Sequence, residues 1–121
     1  KESQNMQIDT TGTGLRGYVT KGYTIEDIEK ALRRAGASWR VHTGDDYNIT
    51  TQIVTEIRGT TITIYDYKST DEELADQVLG HYEWHVGGFR DQNAVAELRN
   101  IGIHSYEWDE AAGDVLRWVR S

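Results

Sequence analysis

The chain contains no cysteine and no proline, and only one methionine and one phenylalanine among its 121 residues. Without cysteine there is no disulfide, no thiolate metal site and no cysteine nucleophile. Without proline there is no Pro-rich linker, and no repeat or low-complexity tract divides the chain. No apolar run approaches the roughly 18 residues needed to span a membrane. The opening KESQNMQIDTTGTG carries no apolar core of the signal-peptide kind. Residues 1–13 are therefore expected to be flexible, with Met6 a candidate initiator, and residues 14–121 to form a single domain of a cytoplasmic protein. At 37% hydrophobic residues the chain is too apolar for a disordered one, and its length suits one core rather than two.

Basic residues are scarce as well. Thirteen Lys and Arg face twenty Asp and Glu, a formal charge of -7. Proteins that neutralise duplex phosphates present the opposite excess, so direct nucleic-acid binding is disfavoured. The acids are clustered: Asp66, Asp71, Glu72, Glu73, Asp76 and Glu83 against Lys68 alone give -5 over residues 66–83. Such a strip is either a solvated face or a surface that imitates nucleic acid for a basic partner.

Periodicity supplies the elements. LRGYVTKGY (15–23) alternates as a strand. Thr24 is placed to cap a helix over 25–35, with Asp27 at its positive end, Ile28 and Leu32 inward and Gly36 as the stop. SWRVHTG (38–44) is a short strand candidate before a turn at 44–46. YNITTQIVTEI (47–57) and TTITIYDYK (60–68) flank Arg58-Gly59, which predicts an antiparallel hairpin. Thr70 and three acids predict a short helix within 69–80. HYEWHV (81–86) has strand character, Asp91 is a candidate cap for a helix ending at Gly102, and Trp108 to Val119 show helical spacing. The pattern predicts an α+β fold: an antiparallel sheet of four to five strands with two to three helices on one face.

HYEWHVGG (81–88) invites a metal or catalytic reading. On a strand, His81, Glu83 and His85 share a face, but His81 and His85 then stand about 13 Å apart and cannot share one ion. No metal and no cofactor is implied. The glycine pair Gly87-Gly88 before a helix start admits two readings: a turn needing positive φ, or an anion pocket of free N–H groups beside Arg90. Asp66 is either an acid of raised pKa or a strand-end residue reaching solvent. GxSxG, P-loop and GxGxxG patterns are absent. Seven tyrosines and four tryptophans fit amphipathic contact surface or half-buried structural rings.

Two pieces, TITIYDYK (61–68) and YEWHVGG (82–88), resemble the signature of a family of small tailed-phage and bacterial proteins. In that family a TIYDWK-like strand precedes EWHIGG and a helix. The resemblance spans residues 14–101 and departs in Tyr67, where the family has tryptophan, and in the 103–121 extension. It implies a phage-encoded accessory protein acting in the bacterial cytoplasm.

Three functions compete. The first is a non-enzymatic binding protein that inhibits a host factor, possibly one of defence, through Asp66, Asp71, Glu72, Glu73 and Asp76. The second sequesters a nucleotide signal, with Gly87, Gly88 and Arg90 holding phosphate while Tyr65, Tyr67 or Trp84 stacks the base. The third is an enzyme using His85 with Glu83 or Asp66. The first leads. None involves a membrane, and the oligomeric state is left open.

Overall fold

The computed structural model describes residues 8–44 and 48–108. Its elements run β1 (Gly14–Val19), α1 (Ile25–Arg34), β2 (Ser38–Thr43), β3 (Thr51–Ile57), β4 (Thr60–Tyr65), α2 (Asp71–Leu79), β5 (His85–Gly88), α3 (Ala94–Asn100) and β6 (Ser105–Glu107). The strands form one antiparallel sheet in the order β2-β3-β4-β5-β1-β6. This is the expected α+β class with six strands rather than four or five. The addition is β6, three residues long and too short to show alternation in sequence. Of the other expectations, residues 1–7, residues 45–47 and the helical spacing beyond Trp108 lie outside the described residues. Among the described residues no helix is long and apolar enough to cross a membrane.

Pairing decides which side chains share a face. Ile53 stands opposite Ile64, Thr55 opposite Ile62, and Ile64 in turn opposite Val86. Onto this face pack Ile28 and Leu32 of α1 and Ala94, Val95 and Leu98 of α3, closing one core with Trp39, Trp84 and Ile103. Each fully buried Ile or Leu contributes about 1.5–3 kcal/mol, so this face carries most of the stability.

Helix α1 starts as its sequence dictates. Asp27 N–H donates to Thr24 Oγ1 at 3.1 Å while Thr24 N–H donates to Asp27 Oδ2 at 3.0 Å. The two bonds satisfy donors at both positions of the box. Its outer residues also hold the sheet edge: Trp39 Nε1–H donates to Glu29 at 2.9 Å, and the Arg33 guanidinium lies 5.4 Å from the Trp39 ring. The hairpin turn is of the primed type, with φ of 50° at Arg58 and 81° at Gly59.

The start of α3 corrects the sequence reading. Its cap is Asn93, whose Oδ1 accepts from Ala96 N–H at 3.0 Å, and not Asp91. The preceding Gln92 is committed to the hairpin: it accepts from Thr61 N–H at 3.0 Å and donates to Gly59 O at 3.2 Å. The helix therefore begins after it. Residues 81–84 likewise leave the sheet. Trp84 O still accepts from Val19 N–H at 2.7 Å, but His81 N–H bonds back to Asp76 O of α2 at 2.8 Å.

The glycine pair is a second correction. Gly87 and Gly88 do not form a turn: they are strand residues, paired to Thr63 and Ile62 on one side and to Leu15 and Gly14 on the other. Neither belongs to the positive-φ glycines. What requires glycine is proximity. A Cβ on Gly87 would overlap Thr63 Oγ1, and one on Gly88 would sit 3.0 Å from Ala94 Cβ. Gly87→Ala is expected to cost about 1–3 kcal/mol in urea unfolding. Thr63→Ala removes the obstructing hydroxyl, so the double variant should lose less than the two single losses combined. Strict additivity would show that the overlap with Thr63 is not the cause.

Candidate functional site

His85 opens β5 with a tyrosine directly opposite on each neighbouring strand, Tyr18 on β1 and Tyr65 on β4. Cross-strand neighbours this close pack ring to ring. The Tyr65 ring stacks on His85 with centroids 5.3 Å apart and planes at 27°, and Tyr18 lies at 5.1 Å. Tyr67 and Tyr82 complete the surround at 6.2 and 6.4 Å. Tyr67 is 45% exposed, whereas Tyr18 and Tyr82 are buried.

Helix α2 stands beside these rings and leaves a cleft of about 370 Å³ at this end of the sheet. Glu73 and Asp76 of α2 form one wall, while Tyr18, Tyr67, Tyr82 and His85 form the aromatic floor. Lys21, His81 and Glu83 complete the lining, so three carboxylates face one ammonium. Glu83 accepts from the Tyr106 hydroxyl at 2.5 Å, and Glu73 accepts from Thr70 N–H at 2.9 Å as part of the α2 cap.

The structure separates the residues of the expected acidic surface. Asp71 and Glu72 are exposed, and Glu73 and Asp76 are half-buried at the cleft. Asp66 is not on the surface at all, with 0% exposure. Its Oδ1 accepts from Thr50 N–H at 2.7 Å and Thr51 N–H at 3.1 Å; its Oδ2 accepts from Gln77 Nε2 at 2.8 Å and the Ser69 hydroxyl at 3.3 Å. The sequence admits Asp66 either as an acid of raised pKa or as a strand-end residue reaching solvent, and places it in the contact surface. In fact β4 ends one residue earlier, and the carboxylate turns inward to collect orphan donors.

The expected anion site is also corrected. The N–H and C=O groups of Gly87 and Gly88 lie within the sheet ladders on both sides, which removes the cradle. Trp84 cannot stack a base, because it is fully buried and its Nε1–H donates to Tyr23 O at 3.0 Å. Arg90 is exposed beyond the Gly88 end of β5. Tyr65 and Tyr67 stand at the His85 end, about 10 Å away along the strand. Among the described residues no group of three or more His, Asp and Glu side chains is arranged to hold a metal ion. Sequence reading missed Tyr18, Lys21 and Tyr82: the β1–β5 pairing sets Tyr18 opposite His85, Lys21 follows β1 to the cleft, and Tyr82 reaches His85 because residues 81–84 leave the sheet. Compared with known proteins, the chain matches no family model, no curated protein and no solved structure.

Burial raises the pKa of the Tyr65 and Tyr82 phenols above the ordinary 10.0, and for Tyr65 the neighbouring phenols Tyr18, Tyr67 and Tyr82 add to it. The folded state thus keeps protons that the unfolded chain releases near pH 10. The stability this confers is whole below that pH and is lost as pH rises through the folded-state values. The urea midpoint is expected to fall between about pH 9.5 and 11.5, and Tyr65→Phe with Tyr82→Phe should flatten that fall. An unchanged slope in the double variant would contradict the assignment.

Proposed function

We propose that the protein acts by binding rather than by catalysis, and that α2 with its cleft is the contact surface for a basic partner. The observation that carries the reading is α2 itself. None of its nine residues is buried, and Val78 and Leu79 are 78% and 64% exposed. A helix this short is marginal in water and normally survives by burying an apolar face. This one is held by its capping box and by the Gln77–Asp66 bond, while Val78 and Leu79 stay outside and Leu74 is half-buried. Exposed aliphatics among Asp71, Glu72, Glu73 and Asp76, next to the exposed ring of Tyr67, form a surface suited to an amphipathic, cationic segment.

The resemblance to the tailed-phage family supplies the setting we propose: the partner is a bacterial host protein, inhibited by being covered. The nucleotide-sequestering alternative gains no support, because its residues are divided between the two ends of β5. Of the two acids in the enzyme alternative, Asp66 is taken up by structural donors on both oxygens, while Glu83 lines the cleft with His85 and accepts from the Tyr106 hydroxyl.

The test is capture from bacterial lysate on the immobilised protein, read by mass spectrometry. A basic protein retained by wild type should be released as salt rises from about 0.05 to 0.5 M. It should also be lost with Asp71→Lys, Glu72→Lys and Asp76→Lys combined, which spares the capping Glu73. Reversal at the exposed Asp71 and Glu72 shifts stability by about 0.5 kcal/mol each, and circular dichroism checks that the variant also carrying the change at half-buried Asp76 stays folded. Arg90→Ala should capture as wild type does. Capture that survives the triple reversal, or fails with Arg90→Ala, would contradict the reading.

A further inference from the structure

We infer that the outer face of α2 receives an amphipathic helix of the basic partner, laid antiparallel to α2 with its basic C-terminal turn over Asp71 and Glu72. The inference deepens the binding reading and rests on it for the partner's charge, while the apolar half of the face stands separately. Its carrying observation is that α2 is amphipathic in the inverse sense. At about 100° per residue, the exposed Asp71, Glu72, Ala75, Val78 and Leu79 fall within about 120° of arc, and the half-buried Glu73, Leu74, Asp76 and Gln77 lie on the remainder. A surface helix normally turns its apolar residues to the core and its polar ones to water. Here Ala75, Val78 and Leu79 point outward while Glu73, Asp76 and Gln77 point inward, and only Leu74 follows the rule.

The inward polar groups have internal partners. Gln77 Nε2 donates to Asp66 at 2.8 Å, and Glu73 accepts from Thr70 N–H at 2.9 Å. No such bond explains the outward aliphatics. Among the described residues the large hydrophobic side chains left exposed are Val78, Leu79 and Tyr67, all on α2 or in the loop before it. Apolar exposure gathered in one place marks a contact surface, whereas single exposed residues scattered over a protein do not.

The order of residues along α2 selects the occupant. Acids stand in its first turn and aliphatics in its last, with Ala75 between them, so the complement carries bases at one end and an apolar stripe at the other. A helix supports Lys and Arg best in its C-terminal turn, where they meet its negative end. That turn lies over Asp71 and Glu72 only if the two helices run antiparallel. Ala75, the small residue midway, lets the axes approach toward the lower end of the usual range of about 8–10 Å. A second copy of α2 does not fit. Its last turn holds no base, so antiparallel self-pairing would set the acids against aliphatics. An anionic membrane surface would repel Asp71 and Glu72.

The experiment titrates the full chain with two hydrocarbon-bridged helical peptides of about fourteen residues and follows side-chain methyl signals by NMR. In one peptide a leucine stripe precedes lysines in the last turn; in the other the same residues run in reverse order. The first should shift the methyls of Ala75, Val78 and Leu79 saturably and leave those of Leu74 in place. The second should bind about threefold more weakly or worse. Val78→Ser with Leu79→Ser, both at exposed positions, should weaken the first peptide about tenfold. No saturable shift, or unchanged binding by the double variant, would overturn the docking face; equal binding of the two peptides would overturn the antiparallel order. Retention on anionic phospholipid vesicles that the double variant loses would identify a membrane as the occupant and overturn the inference. Lysate capture that is lost with the acid reversal but survives Val78→Ser with Leu79→Ser would keep the binding reading and remove this one. Peptide binding at the outer face, with lysate capture insensitive to the acid reversal, would uphold the face while removing the basic-partner reading.

Discussion

The Asp66 carboxylate joins three parts of the chain at one point. One oxygen holds the start of β3 through Thr50 and Thr51; the other holds the loop after β4 through Ser69 and α2 through Gln77. An ionised carboxylate taken out of water is costly unless donors replace its hydration, and here four do. Hydrogen bonds to a charged group are worth about 1.5–3 kcal/mol each, more than the neutral bonds around them. A helix that buries none of its own residues is thereby fixed beside the sheet, and the cleft exists because it is.

Stability and the proposed contact surface are consequently carried by different parts of the molecule. The core lies between the sheet and α1 with α3, built from residues such as Ile28, Leu32, Ile53, Ile64, Trp84 and Leu98, all at 3% exposure or below. The surface proposed for binding draws on α2, the loop carrying Tyr67 and the start of β5. Substitutions on α2 can therefore alter recognition at little cost to folding. That division is what a protein needs if its surface must match a partner while its fold stays constant. The glycine pair belongs to the first part: Gly87 and Gly88 let β5 lie between crowded neighbours, which in turn sets His85 between Tyr18 and Tyr65.

Elements with local causes were legible in the sequence. Thr24 with Asp27, and Thr70 with Glu73, are cap signatures complete within four residues, and both helices begin where they should. The Arg58-Gly59 hairpin is equally local. Features that depend on distant partners were not legible. Gly87-Gly88 has the look of a turn because the crowding by Thr63 and Ala94 comes from elsewhere in the chain. Asp66 seemed to belong to an acidic strip because charge counts along a sequence carry no information on burial. Asp91 and Asn93 are both competent caps, and only the engagement of Gln92 with the hairpin decides between them. Of the site, the acids Glu73 and Asp76 and the ring of Tyr67 were anticipated, while Tyr18 awaited the β1–β5 register and Tyr82 the departure of residues 81–84 from the sheet.

The central claim is that α2 is held by the Gln77–Asp66 bond and not by burial. Amide hydrogen exchange of Gln77→Ala against wild type tests it most directly. The account expects exchange of the Asp71–Leu79 amides to accelerate about tenfold or more, the equivalent of losing one hydrogen bond to a charged acceptor. The amides of β3 and β4 should keep their protection. Unchanged exchange in α2, or an equal loss of protection throughout the sheet, would contradict it.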